Sequence, residues 1–127
     1  MAVSPRSCGA PSHTAIPSSF NLDAMAILTQ TLSAGRPDLW KWSLPDGRGM
    51  ARAVAYMYPY IADKREWPKP PDAMYFDRWP VRQPSLLFAG LALGKPEYLA
   101  LWKTLDPDPT EAEVLRNWPV RQPLLWI

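Results

Sequence analysis

The side chains of this chain best suited to grip a ligand are aromatic residues set in connecting segments, Trp40, Trp42 and Trp67, together with Arg82. An indole offers a flat apolar face and one N–H donor, so indoles grouped in loops make a platform on which a sugar ring can stack, with an arginine to hold an acidic group. Trp79 belongs to the same group of connector tryptophans, and Arg121 repeats the setting of Arg82. The same residues have a second use, because a loop tryptophan is also a good plug for a core, and an arginine also ties down a neighbouring carbonyl or carboxylate. From residue types alone both uses stay open.

The other polar residues read more simply. Asp46 lies in a Pro-Asp-Gly turn, and Asp63 and Asp72 sit where the chain must reverse, so local hydrogen bonding accounts for all three. Glu111 and Glu113 supply negative charge to the first turn of a late helix. Tyr56, Tyr58 and Tyr60 crowd one apolar helix end, where core or rim packing explains them, and His13 stands in a Ser/Pro/Ala/Gly-rich stretch with nothing to hold it. With one histidine and one cysteine, Cys8, the chain builds neither a common zinc constellation nor an intramolecular disulfide. No metal and no cofactor is expected.

Bulk composition narrows the class further. Of 127 residues 47% are hydrophobic, too many for a disordered chain, while 16 prolines impose many corners. The net charge of +2 comes from basic and acidic residues scattered singly, which excludes the basic stripe of a nucleic-acid binder. No run reaches the roughly 20 apolar residues of a membrane span, and no signal-peptide core is visible. Neither nucleic acid nor membrane is an expected partner.

The elements that must position these residues are helical. The hexapeptide Trp-Pro-Val-Arg-Gln-Pro occurs twice, at Trp79 to Pro84 and Trp118 to Pro123. Its two prolines hold an extended corner between helices, and the distance between copies is that of a helix pair with its loops. Residues 1–19 read as an irregular, disordered arm and 20–127 as the organised domain. A first helix is expected from Asn21, capped by it or by Ser19 and ended at Gly35, with Met25, Leu28 and Leu32 on its apolar stripe. An aromatic connector through Pro37 to Ser43 leads to a second helix with Met50, Ala53, Val54, Met57 and Ile61 inward and Arg48 and Arg52 outward. Helices over Pro84 to Ala92 and from Pro96 to Leu105 make a second hairpin, and Asp108 and Pro109 open a short last helix. The expected fold is all-α, a partial (α/α) toroid of consecutive helical hairpins, with the first helix bare of a partner near Phe20 and Leu22.

Several motifs in order, Ser19-Phe20-Asn21-Leu22-Asp23-Ala24, Asp38-Leu39-Trp40, Pro45-Asp46-Gly47-Arg48-Gly49, Pro59-Tyr60, Trp67-Pro68 and Asn117 to Trp126, resemble the C-terminal part of the alginate lyase family. That resemblance implies an (α/α) toroid, a periplasmic or secreted location, an acidic polysaccharide as partner, and β-elimination at uronates without a redox cofactor. It also implies that an Asn-His pair from the N-terminal half of the toroid and a Tyr before the Phe-Asn-Leu segment do the proton transfer. This chain carries no such pair, and Pro17 stands at the position of the Tyr. Codons compatible with His13 to Phe20 can spell His-Arg-Tyr-Ser-Val-Phe in another frame, so a frameshift is an expected origin of residues 1–19.

The leading expectation is therefore a fragment of a polysaccharide lyase, inactive alone and with no catalytic residue of its own, for which the missing N-terminal half of the domain is a further partner. The alternative is a non-catalytic helical module that binds an acidic glycan or a protein. A third reading is an unrelated helical protein that shares only corner motifs.

Overall fold

A computed structural model describes residues 15–34, 38–70, 76–118 and 120–127, with side chains from Ser18 onward. Expectations placed on Cys8, His13, Gly35, Pro37 and Asp72, and on the side chain of Pro17, lie outside the described residues. Among those described the chain is all-α: α1 (Ala15–Ser33), α2 (Met50–Ala62), α3 (Pro84–Leu93), α4 (Pro96–Thr104) and α5 (Ala112–Arg116), with 3₁₀ turns at Lys64–Glu66, Phe76–Arg78 and Pro123–Trp126.

The sequence of α3, Pro-Ser-Leu-Leu-Phe-Ala-Gly-Leu-Ala-Leu, is apolar on every side, the pattern of a helix surrounded by others. It is the centre of the molecule: Pro84 to Gly90 are all buried, and α1, α2 and α4 each pack against it. Pro84 opens the helix at its first position, where a missing N–H costs nothing, and Gly94 closes it in the left-handed region at φ 63°. Gly90 lets α4 approach closely, since a Cβ there would stand 2.8 Å from a methyl of Leu99.

Two corrections fall on α1. The helix starts at Ala15, inside the stretch expected to be irregular, so Ser19 and Asn21 are interior residues rather than caps. Its buried face is also not the expected one: Ser19, Leu22, Asp23, Ala26 and Thr29 face the core, whereas Met25, Leu28 and Leu32 are about half exposed. Both faces of α1 carry helical periodicity, so spacing could not choose between them. Small and polar residues took the inward face because the α3 corner needs hydrogen-bond partners there, and Leu22 is covered rather than bare.

Those partners form a buried network. The Ser19 hydroxyl donates to Gln83 Oε1 at 2.6 Å, the Trp79 indole donates to the same oxygen at 3.2 Å, and the Ser85 amide donates to Asp23 Oδ1 at 3.1 Å. Ser85 lies in the first turn of α3, where amides lack intrahelical acceptors, so Asp23 caps α3 from another helix. The second oxygen of Asp23 is buried without a partner. Burial pushes the carboxyl up from 3.8 to about 7, offset in part by its hydrogen bonds to Ser85.

Asp46 and Asp63 act in turns as expected, accepting from the amides of Arg48 and Arg65 two residues on, at 3.0 and 3.1 Å. At the last helix the expected cap is absent: α5 begins at Ala112 after Glu111, and Asp108 and Pro109 precede it in an irregular stretch where Asp106 holds the Asp108 amide at 2.9 Å. A second small cluster of Val81, Val114 and Trp118 joins the two hexapeptide copies.

Candidate functional site

The connector between α1 and α2 is aromatic and doubles back on itself. The Leu44 amide donates to the Arg48 carbonyl at 2.9 Å around the Gly47 turn (φ 86°), and Gly49 comes so close to the Trp42 carbonyl that no Cβ fits between them. This folding brings Trp42 over the exposed faces of α1 and α2. The result is an open groove of about 1120 Å³. Met25, Leu28 and Leu32 of α1 line one side, Arg52, Tyr56 and Met57 of α2 the other, with Trp42 and Trp67 at its margins and Arg48 and Lys69 beside them.

Its electrostatics are one-sided. Three cations, Arg48, Arg52 and Lys69, line the groove and no carboxylate among the described residues does. Arg48 is paired outside the groove with Asp46, its Nε 2.7 Å from Oδ2, while Arg52 Nη1 donates only to the Asp46 backbone carbonyl at 3.0 Å. The Arg52 charge is thus not cancelled by a carboxylate among the described residues. Tyr56 and Tyr60 meet edge to face at 5.5 Å, and Tyr60 meets Trp67 in the same way at 5.3 Å, so the aromatic wall is braced from behind. A smaller depression is lined by Asp77, Asp106, Asp108 and Glu111 with Arg78, so acidic side chains predominate there.

The four residues expected to bind a ligand separate. Trp42 is 58% exposed, and Trp67, though only 9% exposed, also lines the groove. Trp40 is 1% exposed and belongs to the core, its indole donating to Gln30 Oε1 at 3.1 Å, so it has no face for a sugar. Arg82 is committed elsewhere: it donates to the Lys103 carbonyl, lies 5.1 Å above the Trp102 ring, and does not line the groove. The second, structural use of a connector Trp and Arg holds for these two.

Arg48, Arg52 and Tyr56 had not been grouped as a site from sequence. They repeat every fourth residue, but α2 begins only at Met50, so Arg52 and Tyr56 share a helix face and Arg48 joins them from the connector before it. Residues 18–67 match the alginate lyase family model. This alginate-lyase-like region comprises α1 from Ser18, the aromatic connector, α2 and the turn to Trp67, and it contains every lining residue of the groove except Lys69. The match stops short of the hexapeptide copies. No curated protein and no solved structure matches the chain. Among the described residues no helix is long and apolar enough to cross a membrane.

Proposed function

We propose that the groove between α1 and α2 binds an acidic, uronate-containing polysaccharide, and that the chain is an arc of an (α/α) toroid of the polysaccharide lyase type that performs no β-elimination by itself. The observation that carries this reading is a groove lined by three cations and, among the described residues, no carboxylate, with Arg48 and Arg52 inside the family-matched region and Lys69 just beyond it. Arg52 on α2 and Arg48 in the turn before it supply guanidiniums for the carboxylates of a polyuronate, and the exposed ring of Trp42 offers an apolar face for the C–H side of a sugar. Periplasmic or secreted placement follows from the same likeness.

Elimination needs a group to neutralise the uronate carboxylate, a base for the neighbouring proton and an acid for the departing oxygen. Arg52 meets the first need. Among the described lining residues Tyr56 and Lys69 carry protons that can be transferred, and no carboxylate or imidazole stands beside them as a base. The apolar lining of Met25, Leu28 and Leu32 supports a second reading in which the groove takes a protein segment.

The test is retention of the purified chain on a polyuronate gel beside an assay of the ultraviolet absorbance of unsaturated product. Salt-sensitive retention, lost in the Arg48→Gln/Arg52→Gln double variant and without product, is the expected result. Equal retention of the double variant would overturn the binding reading, and product formation would overturn the inactive-alone reading.

A further inference from the structure

Helix α1 stands between the core and the groove. Its outward residues Met25, Leu28 and Leu32 form one wall of the groove, and its inward residues Ser19 and Asp23 bond it to the corner that opens α3. Asp23 is 0% exposed, and only one of its oxygens is used: Oδ1 accepts the Ser85 amide, while Oδ2 is buried without a partner. An uncompensated buried charge costs far more than a buried neutral carboxyl, so ionisation of Asp23 works against the seat of the helix that carries it.

No cation among the described residues is in place to compensate that charge. Asp23 is the one titratable residue in the sequence of α1, and α3 has none. On α2, Arg52 donates to the Asp46 carbonyl, Tyr56 and Tyr60 pack on each other, and Tyr58 packs on Tyr98. Around the corner before α3, Arg82 donates to the Lys103 carbonyl, and Lys64 donates to the carbonyls of Phe76 and Trp79 at 2.9 Å. None of these groups is bonded to Asp23, whose carboxyl burial holds above the usual carboxylate range.

We infer that Asp23 is a proton latch on the groove: with its carboxyl neutral, α1 lies against α3 and walls the groove, and loss of that proton to solvent releases α1 and removes the wall. Ligand binding in the groove is then tightest in mildly acidic solution and weaker above neutrality. The choice of ligand rests on the polysaccharide reading, whereas the latch does not. The sign follows from linkage: latched Asp23 holds its proton up to about 7 and the released residue loses it near 3.8, so rising pH through that window favours release. Free carboxylates ionise near pH 4, and arginine and lysine lose their protons only above about pH 10, so the ligand contacts themselves do not titrate there.

The test is amide hydrogen exchange of the full chain at pH 5.5 and pH 8, corrected for intrinsic rates, with and without soluble alginate, beside the same measurements on Asp23→Asn. That variant keeps an acceptor for the Ser85 amide and leaves His13 and the terminal amine to titrate as before. Protection of α1 is expected to fall about 10- to 50-fold between the two pH values, and at pH 8 α1 is expected to exchange ahead of α4. Asp23→Asn is expected to abolish the fall, and alginate to restore α1 protection at pH 8. Protection of α1 that is independent of pH, or that falls equally in Asp23→Asn, overturns the latch, as does exchange of α1 and α4 together in one global unfolding. Alginate that shields the groove at pH 5.5 without raising α1 protection at pH 8 overturns the coupling. Absence of any alginate effect at pH 5.5, with the release of α1 intact, overturns the polysaccharide reading and leaves the latch standing.

Discussion

The carboxylate of Asp23 on α1 accepts the amide of Ser85 at 3.1 Å, so one helix supplies the N-terminal cap of another across the core. Asp23 is fully buried and no cation among the described residues is bonded to it, which makes its charge the most exacting feature of the fold.

Stability is expected to fall as pH rises from about 4 to about 7. The folded state holds the Asp23 proton up to about 7 whereas the unfolded chain releases it near 3.8, so the native state binds more protons across that window and loses that advantage through it. Between pH 5 and pH 8 the loss is about 2–3 kcal/mol. Asp63, held down to about 2 by Arg65, works in the opposite sense, and only below about pH 4. Urea melts at pH 5 and pH 8 measure the difference, and Asp23→Asn is expected to flatten it. An equal slope in the variant would remove Asp23 as the cause.

Trp40→Ala is expected to cost about 3–5 kcal/mol, because a side chain 1% exposed leaves a large cavity and frees Gln30. Trp42→Ala, on a side chain 58% exposed, is expected to change stability by no more than about 0.5 kcal/mol while reducing polyuronate retention. Thermal melts beside the affinity gel separate these two roles, which residue type and connector setting do not distinguish.

Gly90→Ala is expected to destabilise by about 1–3 kcal/mol, since the new methyl stands 2.8 Å from Leu99 and 3.3 Å from the Lys95 carbonyl. Calorimetry of this variant, with Gly90→Ala/Leu99→Ala as a partner, tests the cause. Failure of the second substitution to alter the effect of the first would place the strain elsewhere.

Arg52→Gln is expected to weaken polyuronate binding more than Lys103→Gln, which lies outside the groove, and the difference is expected to shrink at about 1 M salt, where screening acts within about 3 Å. Affinity electrophoresis at two ionic strengths reads both effects. Equal losses from the two substitutions would reduce the groove to one cationic patch among others.

Much of the helical order is legible in the residues themselves. Proline and glycine punctuation places α3 and α4 between Pro84 and Thr104, and Met50, Val54, Met57 and Ile61 mark α2, because backbone restriction and period act within a few residues. The likeness to alginate lyases is also legible, in motifs between Ser19 and Trp67 that the family match covers. The groove is not. Its lining comes from two helices and a loop, and what exposes Met25, Leu28 and Leu32 is the competing demand of the α3 corner for Ser19 and Asp23.

The sequence by itself determined where most helices run, where they stop and which family the first half resembles, since those properties follow from local dihedral limits and residue order. Tertiary structure alone decided that Trp40 and Arg82 serve the fold while Trp42, Arg52 and Tyr56 share a surface. It also decided that two identical hexapeptides meet different surroundings, Gln83 being buried against Ser19 whereas Gln122 is exposed. Burial depends on which distant segment arrives to cover a side chain, and identical residues carry no local mark of that.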